Sequence, residues 1–321
     1  MDRPGEVKTL RVLAVQKSSA YAKPGETVEL SMLWHDGSPK APRPVSVVWL
    51  SGCFNPPADL YAGCGAVFAQ SAAGGGSGQF GLPPGVELGF GDQFEFTMPA
   101  DVISSRPPPA DPAVPPYGVG YVFFAACAGA LGPAAPGAAF PLSCKDAAGR
   151  ALGSDDFVAG YSATYAHDDF RNANPIITGF SFNGVSVVPS CTDVECLSVA
   201  PAERDCSAGE PCVEACSKDG DEDCPGFEIR PVIARESAEV DEIAKSAYGR
   251  DISEQVWVRY YTSGGSVDSD ARLVNDAQAG WNEQYETKYR APSRKGPVSI
   301  WAVVHDNRGG VAWTRLDVQI R

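Results

Sequence analysis

Along the first half of the chain, apolar residues recur at every second position, the period of a strand with one face buried. Val28, Leu30, Met32 and Trp34 alternate with Glu29, Ser31 and Leu33, and Phe94, Phe96 and Met98 repeat the pattern before it stops at Pro99. Residues 8–15, 45–50 and 121–127 are further apolar runs of strand length, each bounded by turn formers. In the second half, residues 180–187 read FSFNGVSV, two short strands joined by Asn183-Gly184. That dipeptide supplies the two positive φ angles of a type I′ hairpin turn. Strand patterning returns at 227–234, 256–261, 285–289 and 298–304, and Leu316, Val318 and Ile320 point one way along the last segment. Helical spacing occurs once, at 237–248, where Val240, Ile243, Ala244 and Ala247 share a face between Ser237 as N-cap and Gly249 beyond the end.

The pattern predicts an all-β protein of two antiparallel β-sandwich domains, residues 8–165 and 176–321, with one short helix. Residues 1–7 form a leading linker. Residues 166–175 form a second one, where Arg171-Asn172-Ala173-Asn174 is polar and ends at Pro175. A length of 321 residues suits two cores, and 61 glycines and prolines together suit many turns. Two loops are long: 62–91, with Gly74-Gly75-Gly76-Ser77-Gly78 at its tip, and 103–116, with six prolines. Both read as connectors in solvent.

Cysteine changes the picture. Six of the ten cysteines (Cys191, Cys196, Cys206, Cys212, Cys216 and Cys224) crowd into residues 191–224 with ten carboxylates and only Arg204 and Lys218 against them. This stretch is too polar to build a hydrophobic core and reads as a disulfide-rich acidic insertion on the second domain. It holds neither a C-x2-C pair nor a histidine, so disulfides are expected rather than zinc. Outside it, Cys53 with Cys64 and Cys127 with Cys144 are the pairs that would close local loops. Disulfides imply an extracytoplasmic setting, whether periplasm, outer membrane or secreted, although Met1-Asp2-Arg3-Pro4-Gly5 is not a signal sequence. No run is long and apolar enough for a transmembrane helix. The net charge of −14 is concentrated in the insertion, which alone carries −8, and it disfavours nucleic acid as a partner.

The closing residues 303–313 (VVHDNRGGVAW), the opening RVLAVQKSSAYAKPGETVEL and the segment NPPADLYAGC at 55–64 together resemble Ig-like and PKD-like β-sandwich modules of myxobacterial-type envelope lipoproteins. The resemblance implies a spacer or recognition role at the cell envelope, with an extracellular protein or glycan as partner, and it brings no catalytic residues. A lipid anchor is implied by the resemblance alone, since the first cysteine is Cys53.

Candidate chemistry is sparse. Asp219, Asp221 and Asp223 alternate as in calcium loops, with Glu210 and Glu214 as further oxygen donors. The EF-hand pattern fails at Cys224, where the loop glycine belongs, and at Arg230, where its glutamate belongs. All three histidines precede an aspartate (His35-Asp36, His167-Asp168, His305-Asp306), but strand neighbours face opposite ways, so adjacency does not make them converge. Lys288, Arg290, Arg294 and Lys295 form a basic cluster, and Trp257, Tyr260, Tyr261, Trp281, Tyr285 and Tyr289 are candidates for a sugar-stacking face. No nucleophile motif is present. The expected function is a non-catalytic extracytoplasmic structural or recognition module. A calcium-dependent adhesin or carbohydrate-binding protein, and a hydrolase using a carboxylate pair, are the alternatives.

Overall fold

A computed structural model describes residues 5–65, 85–112, 114–134, 142–197, 201, 203–206, 210–221 and 223–321. The glycine tip 74–78 and Glu222 lie outside the described residues. The described residues are all-β with one short helix, and two compact units divide the chain. One comprises Thr9–Met32 and Ser38–Asn172; the other comprises Ala173–Arg321 with residues 5–8 and Leu33–Gly37. Among the described residues no helix is long and apolar enough to cross a membrane.

The N-terminal unit contains β1 (Leu10–Lys17), β2 (Tyr21–Ala22), β3 (Thr27–Asp36) as far as Met32, β4 (Ser46–Phe54), β5 (Leu88–Phe90), β6 (Gln93–Thr97), β7 (Gly118–Cys127), β8 (Ala130–Pro133), β9 (Leu142–Lys145) and β10 (Phe157–Ala166). Sheet order is β1-β3-β6 in one layer and β2-β10-β7-β4-β5 in the other, with β8-β9 a separate hairpin. Strand parity builds the core between the layers. Trp49 pairs across strands with Phe124, and its indole stacks on Phe94 of β6 at 6.0 Å between centroids. Burying a side chain of this size stabilises the fold by roughly 2–3 kcal/mol. The alternate residues Val48, Leu50 and Ala125 point to the opposite face of the five-stranded sheet. That face is not left to solvent. The Cys53–Cys64 bridge holds one loop against Leu50, Val119 and Tyr121, and the Cys127–Cys144 bridge holds the β8-β9 hairpin so that Leu142 covers Val48 and Ala125. Parts of the long loops are therefore core, because each tether brings apolar side chains back onto the sheet.

The C-terminal unit contains β11 (Ile177–Phe182), β12 (Val185–Val187), β13 (Cys191–Thr192), β14 (Cys212–Val213), β15 (Gly226–Ile233), α1 (Glu242–Tyr248), β16 (Val256–Thr262), β17 (Ser266–Val267), β18 (Ala271–Asp276), β19 (Gly280–Trp281), β20 (Thr287–Arg290), β21 (Gly296–Asp306) and β22 (Val311–Ile320). Its layers run β12-β11-β15-β20-β17 and β13-β22-β21-β16-β18-β19. Asn183 (φ 50°) and Gly184 (φ 77°) make the expected turn, with Phe182 opposite Val185. Leu316, Val318 and Ile320 enter one core with Val256, Val258, Ile300 and Val304. The helix starts later than its spacing predicts. Asp241, not Ser237, caps it by accepting from the Ala244 amide at 2.9 Å, while the Ser237 hydroxyl accepts from the Ile176 amide at 2.8 Å. Val240 is drawn into a β-bridge with Ser253 instead of the helix.

All ten cysteines pair, and in the insertion the bridges are Cys191–Cys196, Cys206–Cys212 and Cys216–Cys224. The insertion differs from expectation in one respect: it is woven into the sandwich. β13 pairs antiparallel and β14 parallel with β22, and Val213, Cys216 and Cys224 are buried in the main core. Half-cystines are apolar, so the staples themselves supply the core surface that the acidic composition lacks.

The closing hairpin is locked by one carboxylate. Asp306 Oδ1 accepts from the Arg308 amide at 2.7 Å and the Gly310 amide at 2.9 Å. A Cβ on Gly310 would run into Asp306 Oδ2 and stand 3.0 Å from the Ala173 carbonyl oxygen. Gly310→Ala is thus expected to destabilise the chain by about 1–3 kcal/mol through overpacking. Urea unfolding checks this, and an unchanged midpoint would refute the steric account.

Candidate functional site

The acids singled out in the sequence do not converge. Asp219 Oδ1 accepts from the Ser293 amide at 2.6 Å, while Asp221 accepts from the Ser217 hydroxyl and, at 3.3 Å, from the Asp223 amide. Glu210 and Glu214 face Arg204 (3.6 Å) and Arg321 (2.8 Å). Among the described residues no three acids, histidines or cysteines form a metal-binding group. Asp219 and Glu214 instead tie the insertion to Ser293 and Arg321 outside it, while Asp221 and Glu210 bond within it.

The histidines are packing residues. His35 lies 4.8 Å from the Trp301 ring, His167 lies 4.9 Å from Tyr21, and His305 stacks on Trp257 at 5.3 Å. Burial pushes all three imidazoles below their ordinary value, His35 and His305 to about 4, so they are neutral at pH 7. The basic cluster is partly spent on an Arg290–Asp268 pair. Of the six candidate aromatics, Tyr260, Tyr285 and Tyr289 are fully buried as core residues, and Trp257, Tyr261 and Trp281 are half-buried. Two buried hydroxyls are satisfied inside, Tyr260 donating to the Tyr285 carbonyl at 2.6 Å and Tyr289 to the Gly264 carbonyl at 3.1 Å. Strand alternation turns Tyr260 of β16 and Tyr289 of β20 inward.

One buried ionic cluster stands out in this unit. Glu254 is completely buried and accepts from Arg308 Nε, while Arg308 Nη2 reaches Glu239 at 3.0 Å. Burial, with the nearby Asp306 and Glu239, pushes the Glu254 carboxyl up to about 7 despite Arg308. Glu254 has no exposed surface and cannot reach a substrate, so its role is structural, while Glu239 is partly exposed at the edge of the cluster.

An aromatic face does exist, in the N-terminal unit. All six tyrosines before residue 172 (Tyr21, Tyr61, Tyr117, Tyr121, Tyr161 and Tyr165) gather there. β10 places Tyr161 and Tyr165 four residues apart, hence on one face. Tyr61 stacks on Tyr161 at 4.5 Å, Tyr121 meets Tyr161 edge-on at 5.5 Å, and Tyr165 lies between Tyr117 (5.9 Å) and Tyr21 (6.4 Å). Tyr61, Tyr161 and Tyr165 remain 48%, 44% and 37% exposed.

Asp59 organises this face. It sits in a tight turn after Cys53 with Ala58 at φ 57° and itself at φ 54°, a conformation that L-residues adopt at a cost. Its carboxylate takes a bidentate pair from Arg106 at 2.8 and 2.9 Å and the Tyr117 hydroxyl at 2.6 Å, and its carbonyl takes the Tyr121 hydroxyl at 2.8 Å. Desolvation opposes ionisation, but the bonds from Arg106 and Tyr117 outweigh it and hold the Asp59 carboxyl below its ordinary value. The Arg106 guanidinium lies 4.3 Å over the Tyr117 ring, beside a cleft of about 370 Å³ lined by Ile103, Pro108, Val114 and Tyr117. The signal available in the sequence was the tyrosine content of the first half. What hid it was distance along the chain, since Tyr61 and Tyr161 are 100 residues apart.

No family model and no curated protein matches the chain. Among solved structures it is similar to the tandem Ig repeats of Dlar, at 9% identity over 98% of this chain and 99% of that one, with a TM-score of 0.25. Fibronectin(III)-like modules of Clostridium thermocellum CbhA align at 12% identity over 96% and 93%, TM-score 0.22. The two tandem V-type regions of VCBP3, a v-region-containing chitin binding protein, align at 11% identity over 97% and 100%, TM-score 0.24. At such scores none of them informs the ligand or the ancestry of this chain.

Proposed function

We propose that the chain is a non-catalytic recognition module working outside the cytoplasm, and that its N-terminal unit binds a protein partner through the tyrosine face. The carrying observation is the half-exposed row Tyr61, Tyr161 and Tyr165 beside the Arg106–Asp59 pair. Tyrosine and arginine dominate the energetic centres of protein interfaces, where lysine is depleted, and the turn and disulfide beneath these rings pre-order them. The five disulfides support the oxidising compartment. Glycan binding is the second reading, favoured by exposed rings carrying hydroxyls.

A phage-displayed library of random twelve-residue peptides, panned on the full chain, tests the first reading, with a glycan microarray run in parallel. Enriched peptides should lose at least tenfold in affinity on the Tyr61→Ser/Tyr161→Ser double variant, about 1.4 kcal/mol or more. Signal on glycans alone would replace protein with carbohydrate. Unchanged binding by the double variant would remove the tyrosine face from the account.

A further inference from the structure

β10 pairs with β7 along its whole length, from Phe157↔Cys127 to Ala166↔Gly118, but among the described residues the only strand paired with its other edge is the two-residue β2, at Tyr165 and Ala166. The hydrogen-bond parity follows from one contact: the Asp156 carbonyl accepts from the Ala128 amide at 2.9 Å. Even-numbered residues therefore bond β7, and the N–H and C=O groups of Ala159, Tyr161 and Ala163 face away from it. The Ala163 carbonyl takes Lys17 Nζ at 2.8 Å. Among the described residues no strand pairs with the edge at Ala159 or Tyr161, and both residues are exposed.

Proteins ordinarily protect such an edge with lysine, proline, inward charges or a bulge. Residues 157–164 read FVAGYSAT, with no charge and no proline, and the β7 register runs without a shift. Lys17 guards this edge at Ala163 and β2 at Tyr165, so the stretch open among the described residues is Ala159 to Tyr161, and its outward groups are a template for another strand.

We infer that this edge pairs with the same edge of a second copy of the chain, antiparallel about a two-fold axis at Gly160. The register places Ala159 of one copy opposite Tyr161 of the other, so their outward groups exchange about four hydrogen bonds. It stops short of Tyr165, whose edge β2 holds. The two-fold repeats an uncharged segment on itself, so no like charges meet along the paired strands. Residue 160 lacks a side chain at the axis, and the two Tyr161 rings come within diagonal reach of each other across it.

Sedimentation velocity of the full chain from about 1 to 100 μM tests the inference. The expected result is a concentration-dependent dimer in this range. Ala159→Pro removes only an outward N–H, which an edge strand tolerates, and should weaken dimerisation by about tenfold or more. Ala159→Lys, a charge on the same edge, should do the same and serves should the proline variant fail to fold. A chain that stays monomeric at the highest concentration overturns the inference. So does a dimer that survives in the folded variants, since its interface would lie elsewhere.

Discussion

Arg308→Met is expected to cost about 3–5 kcal/mol of stability near pH 8, the largest effect of any single substitution considered, because it leaves Glu254 buried without its cation. Glu254 and Arg308 are both buried, and Glu239 and Asp306 add negative charge around them. The loss should shrink toward pH 5, where Glu254 takes up a proton. The direction follows from the raised carboxyl. In the unfolded chain Glu254 titrates near 4.5, and in the folded chain at about 7. Between those values the folded state holds a proton that the unfolded state has lost, so the stabilisation present below 4.5 drains away as pH rises through 7. The size is on the order of 3 kcal/mol. His35 and His305, depressed to about 4, act oppositely and lose stability as pH falls from 6.5. The clean measurement is therefore a difference: urea unfolding of wild type and Glu254→Gln at pH 5 and pH 8. The glutamine variant should gain relative to wild type at the higher pH, and a pH-independent difference would sink the reading of Glu254.

Removing the Cys127–Cys144 bridge with the Cys127→Ala/Cys144→Ala double variant is the second large effect. The bridge spans 17 residues of sequence, for which the chain-entropy model gives about 3 kcal/mol. The physical loss goes further than entropy. The hairpin it tethers carries Leu131 and Leu142 onto Val48, Ala125 and Phe157, so releasing it uncovers one face of the five-stranded sheet. Unfolding by urea should show the lowered midpoint, and native alkylation should label no thiol in the wild type. A double variant as stable as wild type would mean that the hairpin holds its place without the staple.

Much of the fold was legible because its cues are local. Alternation at 28–34 and 94–98, the Asn183-Gly184 turn and the loop-closing positions of Cys53, Cys64, Cys127 and Cys144 each act within a few residues to a few tens. β10 left no such cue. Its sequence FVAGYSATYA is small and weakly apolar, and it becomes a strand because β7 supplies a complete partner. The tyrosines show the same division. The sequence contained them in both halves, but whether a ring is core or surface depends on which face of which strand carries it. Tyr260, Tyr285 and Tyr289 went inside, while Tyr61, Tyr161 and Tyr165 stayed half outside.

By itself, then, the sequence determined strand period, turn chemistry and the presence of covalent staples, all consequences of short-range sterics and of residue type. Only the tertiary structure decided that the acidic insertion shares the core, that Asp59 gathers Arg106 and Tyr117, and that among the described residues no strand pairs with the outer edge of β10 at Ala159 and Tyr161. Those outcomes depend on pairings between residues tens to more than a hundred positions apart. Their energies are set by what each group meets after the chain has closed on itself, and that information has no local signature.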